Sequence, residues 1–124
     1  MNTTSGLILL VDDNPAGAQT MSMLLSHQGF SVVTASNGNE ALKLFRETSP
    51  SIVLLDIGLP DINGLEVAKS IREAQGDRTP LLVAVTGWGA ESDRKKTHEA
   101  GFDIHLTKPV NYDEIEKIVM NHIR

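Results

Sequence analysis

Along this chain, short aliphatic runs alternate with longer stretches whose apolar residues recur at helical spacing. The runs are Leu7–Val11, Phe30–Ala35, Ile52–Leu55, Leu81–Val85 and Ile104–Leu106. Four of them read as continuous apolar segments, the form taken by strands buried on both faces of a helix-covered parallel sheet. The second alternates at Ser31 and Thr34 and predicts an edge strand. Each intervening stretch carries helix start or stop signals. Asn14-Pro15 offers a cap with proline at the first helical position, where its missing N–H costs nothing. That stretch runs through Met21, Leu24 and Leu25 to Gly29. Asn37, with Glu40 three residues on, opens a second helix with Ala41, Leu42, Leu44 and Phe45 on one face. Asn63-Gly64-Leu65-Glu66 repeats the device with Leu65, Ala68 and Ile71 inward. Asn111 opens the last helix over Ile115, Ile118, Val119 and Ile123. The stretch Gly89–Ala100 is polar nearly all round and predicts the least firmly anchored helix. The βα alternation repeats five times, so the pattern predicts a doubly wound α/β domain with a parallel sheet and helices on both faces.

The 124 residues fit one domain, 1–124, with its core over 7–123. Only 4% are aromatic, so the core is expected to be aliphatic; Met21 and Met23 are read as core filler. The absence of cysteine excludes disulfides, thiolate metal sites and cysteine nucleophiles. A net charge of −5 disfavours direct nucleic-acid binding by this domain. No apolar run approaches the ~20 residues of a membrane span. Met1–Gly6 lacks the basic flank of a signal peptide. The chain is therefore expected to be soluble and cytoplasmic, with no membrane contact of its own.

Doubly wound sheets place ligands at the carboxyl ends of their strands. Strand one ends in Asp12-Asp13, strand three in Asp56, strand four in Thr86 and strand five in Thr107-Lys108-Pro109. Singly, each has an ordinary reading: Asp13 as a helix cap, Asp12 as a loop charge, Thr86 and Lys108 as loop residues. Together they converge on one edge. Three clustered carboxylates repel unless a cation joins them. Oxygen-only donors favour a hard ion such as Mg²⁺, with Mn²⁺ as its substitute. Lys108 and Thr86 suit phosphoryl oxygens. No glycine-rich nucleotide loop is present, so a carboxylate acting as phosphoryl acceptor is the chemistry this set suggests. His27, His98 and His122 lack ligand spacing and are read as surface residues.

Asp12-Asp13, the segment Val53–Glu66 with its D-x-x-L-P-x-x-x-G wording, Thr86-Gly87 and Lys108-Pro109 resemble the receiver domain of two-component response regulators. The resemblance spans the chain from Leu7 to the last helix and implies a flavodoxin-like fold of strand order 2-1-3-4-5. It implies that Asp56 accepts a phosphoryl group from a phosphohistidine on a histidine kinase or histidine phosphotransfer partner. Asp13 and Asp56 would bind Mg²⁺ directly, Asp12 through water, and Gly58 through its backbone carbonyl. Thr86 and Lys108 would contact the phosphoryl group, with the Gly87 N–H nearby and a cis peptide before Pro109. Where the family has an aromatic on strand five, this chain has His105, read either as the coupled element or as a half-exposed strand residue. Trp88 is read as a loop anchor, or as an indole that shields the phosphoryl group from water.

The face formed by the fourth helix, strand five and the last helix is where family members dimerise or meet targets; Glu91, Arg94 and Lys95 are its candidate contacts. Such a domain assists its own phosphorylation without being a conventional enzyme. The chain's abrupt end and its Thr-Gly and His-x-x-Lys-Pro wording suggest a receiver excised from a hybrid sensor histidine kinase. The alternative is a stand-alone regulator acting by contact. A Mg²⁺-dependent aspartyl-phosphate hydrolase would need a second aspartate two residues after the nucleophile, where Gly58 stands.

Overall fold

The computed structural model describes residues 7–59, 61–76, 79–87 and 91–123. Five strands, β1 (Leu7–Val11), β2 (Ser31–Ala35), β3 (Ile52–Asp56), β4 (Leu81–Thr86) and β5 (Ile104–Thr107), alternate with five helices. The helices are α1 (Pro15–His27), α2 (Gly38–Thr48), α3 (Gly64–Ala74), α4 (Glu91–Ala100) and α5 (Tyr112–Ile123). All strand pairings are parallel, in the order β2-β1-β3-β4-β5, as the resemblance implies. No helix among the described residues is long and apolar enough to cross a membrane.

The two-residue period of a strand divides the interior into two cores. Leu9 and Val11 of β1 and Val53 and Leu55 of β3 join Phe45 of α2 and Val67, Ala68 and Ile71 of α3. Ile8, Leu10, Ile52 and Leu54 face the other way, onto Leu25 of α1 and Ile115 and Val119 of α5. Continuous aliphatic runs are what feed both cores from the same strands.

Local signals set the helix starts. Asn14 Oδ1 accepts the N–H groups of Ala16 and Gly17, and Pro15 takes the first helical position. Asn63 caps α3 through the Leu65 N–H at 2.7 Å. Gly64 is required there: a Cβ would lie 2.7 Å from Ile57 Cα and 3.0 Å from the Asp56 carbonyl oxygen. The missing side chain lets α3 start directly behind the end of β3.

Two expectations need correction. Met23 is 63% exposed and Leu24 41%, whereas Met21 packs against the core. Successive helical residues turn by about 100°, so a run from Met21 to Leu25 cannot all face inward. β5 is an edge strand, and all four of its residues are only half-buried. His105 in its middle gives it the alternation of a strand covered less completely than β1 or β3. His27, His98 and His122 are exposed, as expected.

Candidate functional site

β1 stops at Val11, which puts Asp12 and Asp13 just beyond its end, and β3 ends on Asp56 itself. One carboxylate oxygen from each of Asp12, Asp13 and Asp56 lies within 4.8 Å of the others. The three differ in depth: Asp56 is buried, Asp12 half-buried and Asp13 exposed. Lys108, from the turn after β5, brings its Nζ to 3.2 Å from Asp56 Oδ2. The other oxygen, Oδ1, accepts the Gly58 N–H at 3.0 Å. Both oxygens of the buried carboxylate are therefore oriented, one by the chain and one by a cation.

Thr86 ends β4 and is buried. Its carbonyl accepts the Lys108 N–H at 2.8 Å, which ties the lysine's backbone to the strand beside Asp56. The Lys108–Pro109 peptide is cis, as the resemblance implies. Gly58 and Gly87 are exposed at the rim. Trp88 lies outside the described residues.

Burial raises the Asp12 carboxyl above its usual range; the Asn14 N–H opposes this, and the nearby Asp56 charge adds to it. The crowded charge, the all-oxygen donors and the spacing within 4.8 Å fit a hard divalent cation such as Mg²⁺. Beneath the carboxylates, a cavity of about 80 Å³ runs from Asp12, Asp56 and Lys108 toward Met21 and Ile115, giving the site an apolar floor.

His105 is half-buried and lines a second cavity, about 170 Å³, together with Thr86, Asp93, Lys96 and Thr97. Its Nδ1 lies 2.9 Å from Thr97 Oγ1, and the same hydroxyl donates to the Arg94 carbonyl at 2.9 Å. A threonine hydroxyl has one proton. With that proton on the Arg94 carbonyl, Nδ1 is the donor to Thr97; in the other tautomer the hydroxyl donates to Nδ1 instead. This bond matters to α4, whose buried residues are only Thr97 and Ala100. Glu91, Arg94 and Lys95 are exposed on the same helix.

Two residues of interest escaped the sequence reading. Thr97 had one available signal, a small polar side chain at an inward position of a polar helix. Asp61 had none: its partners, Gly38 and Asn39, lie 23 and 22 positions away.

A family model described as the response regulator receiver domain matches residues 8–120. The polar-differentiation response regulator DivK of Brucella anthropi is 28% identical over 116 residues, covering 94% of this chain and 94% of DivK. The probable transcriptional regulatory protein TcrX of Mycobacterium tuberculosis is 36% identical over 108 residues; the match covers 87% of this chain but only 45% of TcrX. A CheY-like response regulator receiver domain protein from Methanospirillum hungatei superposes with a TM-score of 0.86 at 26% identity, over 94% of this chain and 92% of that one. A response regulator protein from Burkholderia pseudomallei, solved with a phosphorylated aspartic acid, a calcium ion and citrate, gives a TM-score of 0.81 at 26% identity. That match covers 95% of this chain and 66% of the other.

Proposed function

The chain belongs to the response regulator receiver domain family, and on that footing we propose that it is a phosphoacceptor switch in which Asp56 takes a phosphoryl group from a phosphohistidine. The histidine belongs to a histidine kinase or a histidine phosphotransfer protein. The observation that carries this reading is the convergence of Asp12, Asp13 and Asp56 within 4.8 Å, with Lys108 on the innermost of them. The phosphorylated aspartate and hard divalent ion of the Burkholderia pseudomallei protein lend it support.

In the reaction, one Asp56 carboxylate oxygen attacks phosphorus in line as the N–P bond to the partner's imidazole breaks, and the imidazole leaves with the bonding pair. Mg²⁺, which Asp13, Asp56 and the Gly58 carbonyl would hold directly and Asp12 through water, would supply positive charge to the carboxylates and the phosphoryl oxygens. Lys108 starts paired with Asp56 and turns to a phosphoryl oxygen as the carboxylate becomes an acyl phosphate and loses its negative charge. The Thr86 hydroxyl contacts another. Thr86 and His105 share a cavity wall, and His105 holds Thr97 of α4. A shift at Thr86 therefore biases how α4 packs, altering the face of α4, β5 and α5 offered to a downstream partner or a second copy.

For the parent protein, the Thr86-Gly87 and His105-x-x-Lys108-Pro109 wording supports a hybrid-kinase receiver that passes its phosphate to a second histidine. The alternative reading is a stand-alone regulator acting by contact. Transfer from the phosphorylated chain to an added histidine phosphotransfer protein favours the first reading, and retention on Asp56 the second.

The central test is intact mass after incubation with a small phosphodonor and Mg²⁺. A single phosphoryl adduct is expected in the wild type and none in Asp56→Asn. An adduct that survives Asp56→Asn, or continuous hydrolysis of the donor without an adduct, overturns the reading.

A further inference from the structure

Three residues beyond Gly58, the β3–α3 loop makes a contact that the phosphoacceptor chemistry does not use. The Asp61 carboxylate reaches α2 rather than the acidic cluster. Oδ1 accepts the Gly38 N–H at 2.7 Å and Oδ2 the Asn39 N–H at 2.9 Å. Asn37 Oδ1 takes the Glu40 N–H at 2.8 Å. The first three N–H groups of α2, which lack partners within the helix, are thus all satisfied by side chains, two of them by a separate loop. A carboxylate is the best acceptor there, because the bonds are charge-assisted and the helix dipole favours a negative group. The same two N–H groups hold the Asp61 carboxyl below its usual range.

The backbone of α2 is shaped for this approach. A Cβ at Gly38 would lie 2.9 Å from Ile62 Cβ and 3.0 Å from Val67 Cγ2. Other hydrogen bonds among the described residues of this stretch are local: Gly58 N–H to Asp56 Oδ1, Leu59 N–H to the Ile57 carbonyl, Leu65 N–H to Asn63 Oδ1, and the Glu66 and Val67 N–H groups to the Asn63 carbonyl. The loop is therefore tied to Asp56 at one end and to α2 at the other.

We propose that Asp61 is a positioning residue for the metal site: its two-point grip on the start of α2 fixes the loop that presents the Gly58 carbonyl to the cation. This rests on the phosphoacceptor reading of the site. It adds a dependence of cation binding on a helix that supplies none of the ligands.

The test is calorimetric titration of Mg²⁺ into wild type, Asp61→Asn and Asn37→Ala, each first checked for cooperative thermal unfolding. Asn37→Ala removes a cap from the same helix without touching the loop. Asp61→Asn is expected to weaken Mg²⁺ binding roughly tenfold, the usual scale for a residue that orients a metal ligand. Asn37→Ala should leave the affinity unchanged. The Gly58 amide resonance of the metal-free protein should shift in Asp61→Asn and stay in place in Asn37→Ala. Should Asp61→Asn fold poorly, Gly38→Ala serves instead: it crowds Ile62, keeps the carboxylate, and is expected to weaken Mg²⁺ in the same direction. Wild-type affinity in Asp61→Asn, or an equal loss in Asn37→Ala, overturns the proposal and leaves Asp61 a helix cap only. A wild type that takes up no Mg²⁺ overturns the phosphoacceptor reading itself, a result seen before any substitution is made.

Discussion

Two cations sit at opposite ends of the strands and are held in contrasting ways. Where β4 and β5 begin, Arg72 of α3 commits its whole guanidinium. Nε and Nη2 donate to the Gly101 carbonyl at 2.9 and 2.7 Å, and Nη1 donates to Gln75 Oε1 and the Pro80 carbonyl at 3.0 Å each. Nη2 also meets Asp103 Oδ2 at 2.8 Å, and that oxygen takes the Leu82 N–H as well. At the carboxyl ends, Lys108 is 46% exposed, and its one ion pair among the described residues is with Asp56. A group with every donor committed cannot follow a new ligand, whereas a flexible ammonium with one contact can. The fold therefore places its rigid cation where helices and strands must be locked together, and its adjustable one where the proposed phosphorylation would change the charge.

The sharpest way to break this contrast is to remove each cation and ask which property fails. Lys108→Ala is expected to slow phosphorylation from a small donor by roughly a hundredfold, the scale of losing one charge-stabilising donor, with its urea midpoint near wild type. Intact-mass time courses and denaturation curves measure the two. Arg72→Ala should do the reverse, costing about 2 kcal/mol of stability because several half-buried acceptors lose their partner at once. Its phosphorylation rate, measured below the unfolding transition, should hold. If Lys108→Ala proves the more unstable variant, the division of labour drawn here is wrong.

A smaller effect is expected at α4. Thr97→Val removes the hydroxyl bonded to His105 Nδ1 and should cost about 1 kcal/mol. Hydrogen exchange should quicken in α4 and β5 and stay slow in α3, where Val67, Ala68 and Ile71 are fully buried. Uniform acceleration across the domain would mean that the bond has no local role.

The smallest effect concerns pH. The Asp61 carboxyl is depressed below its ordinary value of 3.8, so it stabilises the fold above that value and loses this as pH falls through the lower, folded-state pKa. Asp12 is raised above 3.8, so its charged form disfavours folding and the penalty is relieved as pH falls through the raised value. Asp12→Asn should therefore gain a few tenths of a kcal/mol at neutral pH, discounted for solvent screening, and the gain should vanish on acidification. The gain from Asp12→Asn should also be reduced when Mg²⁺ is present.

Much of this was legible along the chain because its causes are local. Asn14, Asn37 and Asn63 announce helices whose first N–H groups lie within a few residues. Asp12, Asp13, Asp56, Thr86 and Lys108 announce the site because each ends or follows an aliphatic run, and parallel strands align those ends. Neither cross-chain clamp could be read in this way. Arg72 reaches Gly101 across 29 positions and Asp61 reaches Gly38 across 23. An isolated charge in a sequence gives no hint of which distant backbone it will satisfy. The inward face of α1 was ambiguous for a different reason: Met21, Met23, Leu24 and Leu25 offer more apolar side chains than one helix face can bury.

The two flanks of the sheet bear on how copies of this protein can meet. β5 has only four residues, and it runs into Lys108 and then Pro109, whose nitrogen has no hydrogen to donate; β2 carries exposed Ser31 and Thr34. Short, interrupted or polar margins are poor templates for strand addition. Self-association at high concentration is therefore expected to proceed through helix surfaces, leaving the backbone ladder closed to fibril-like stacking.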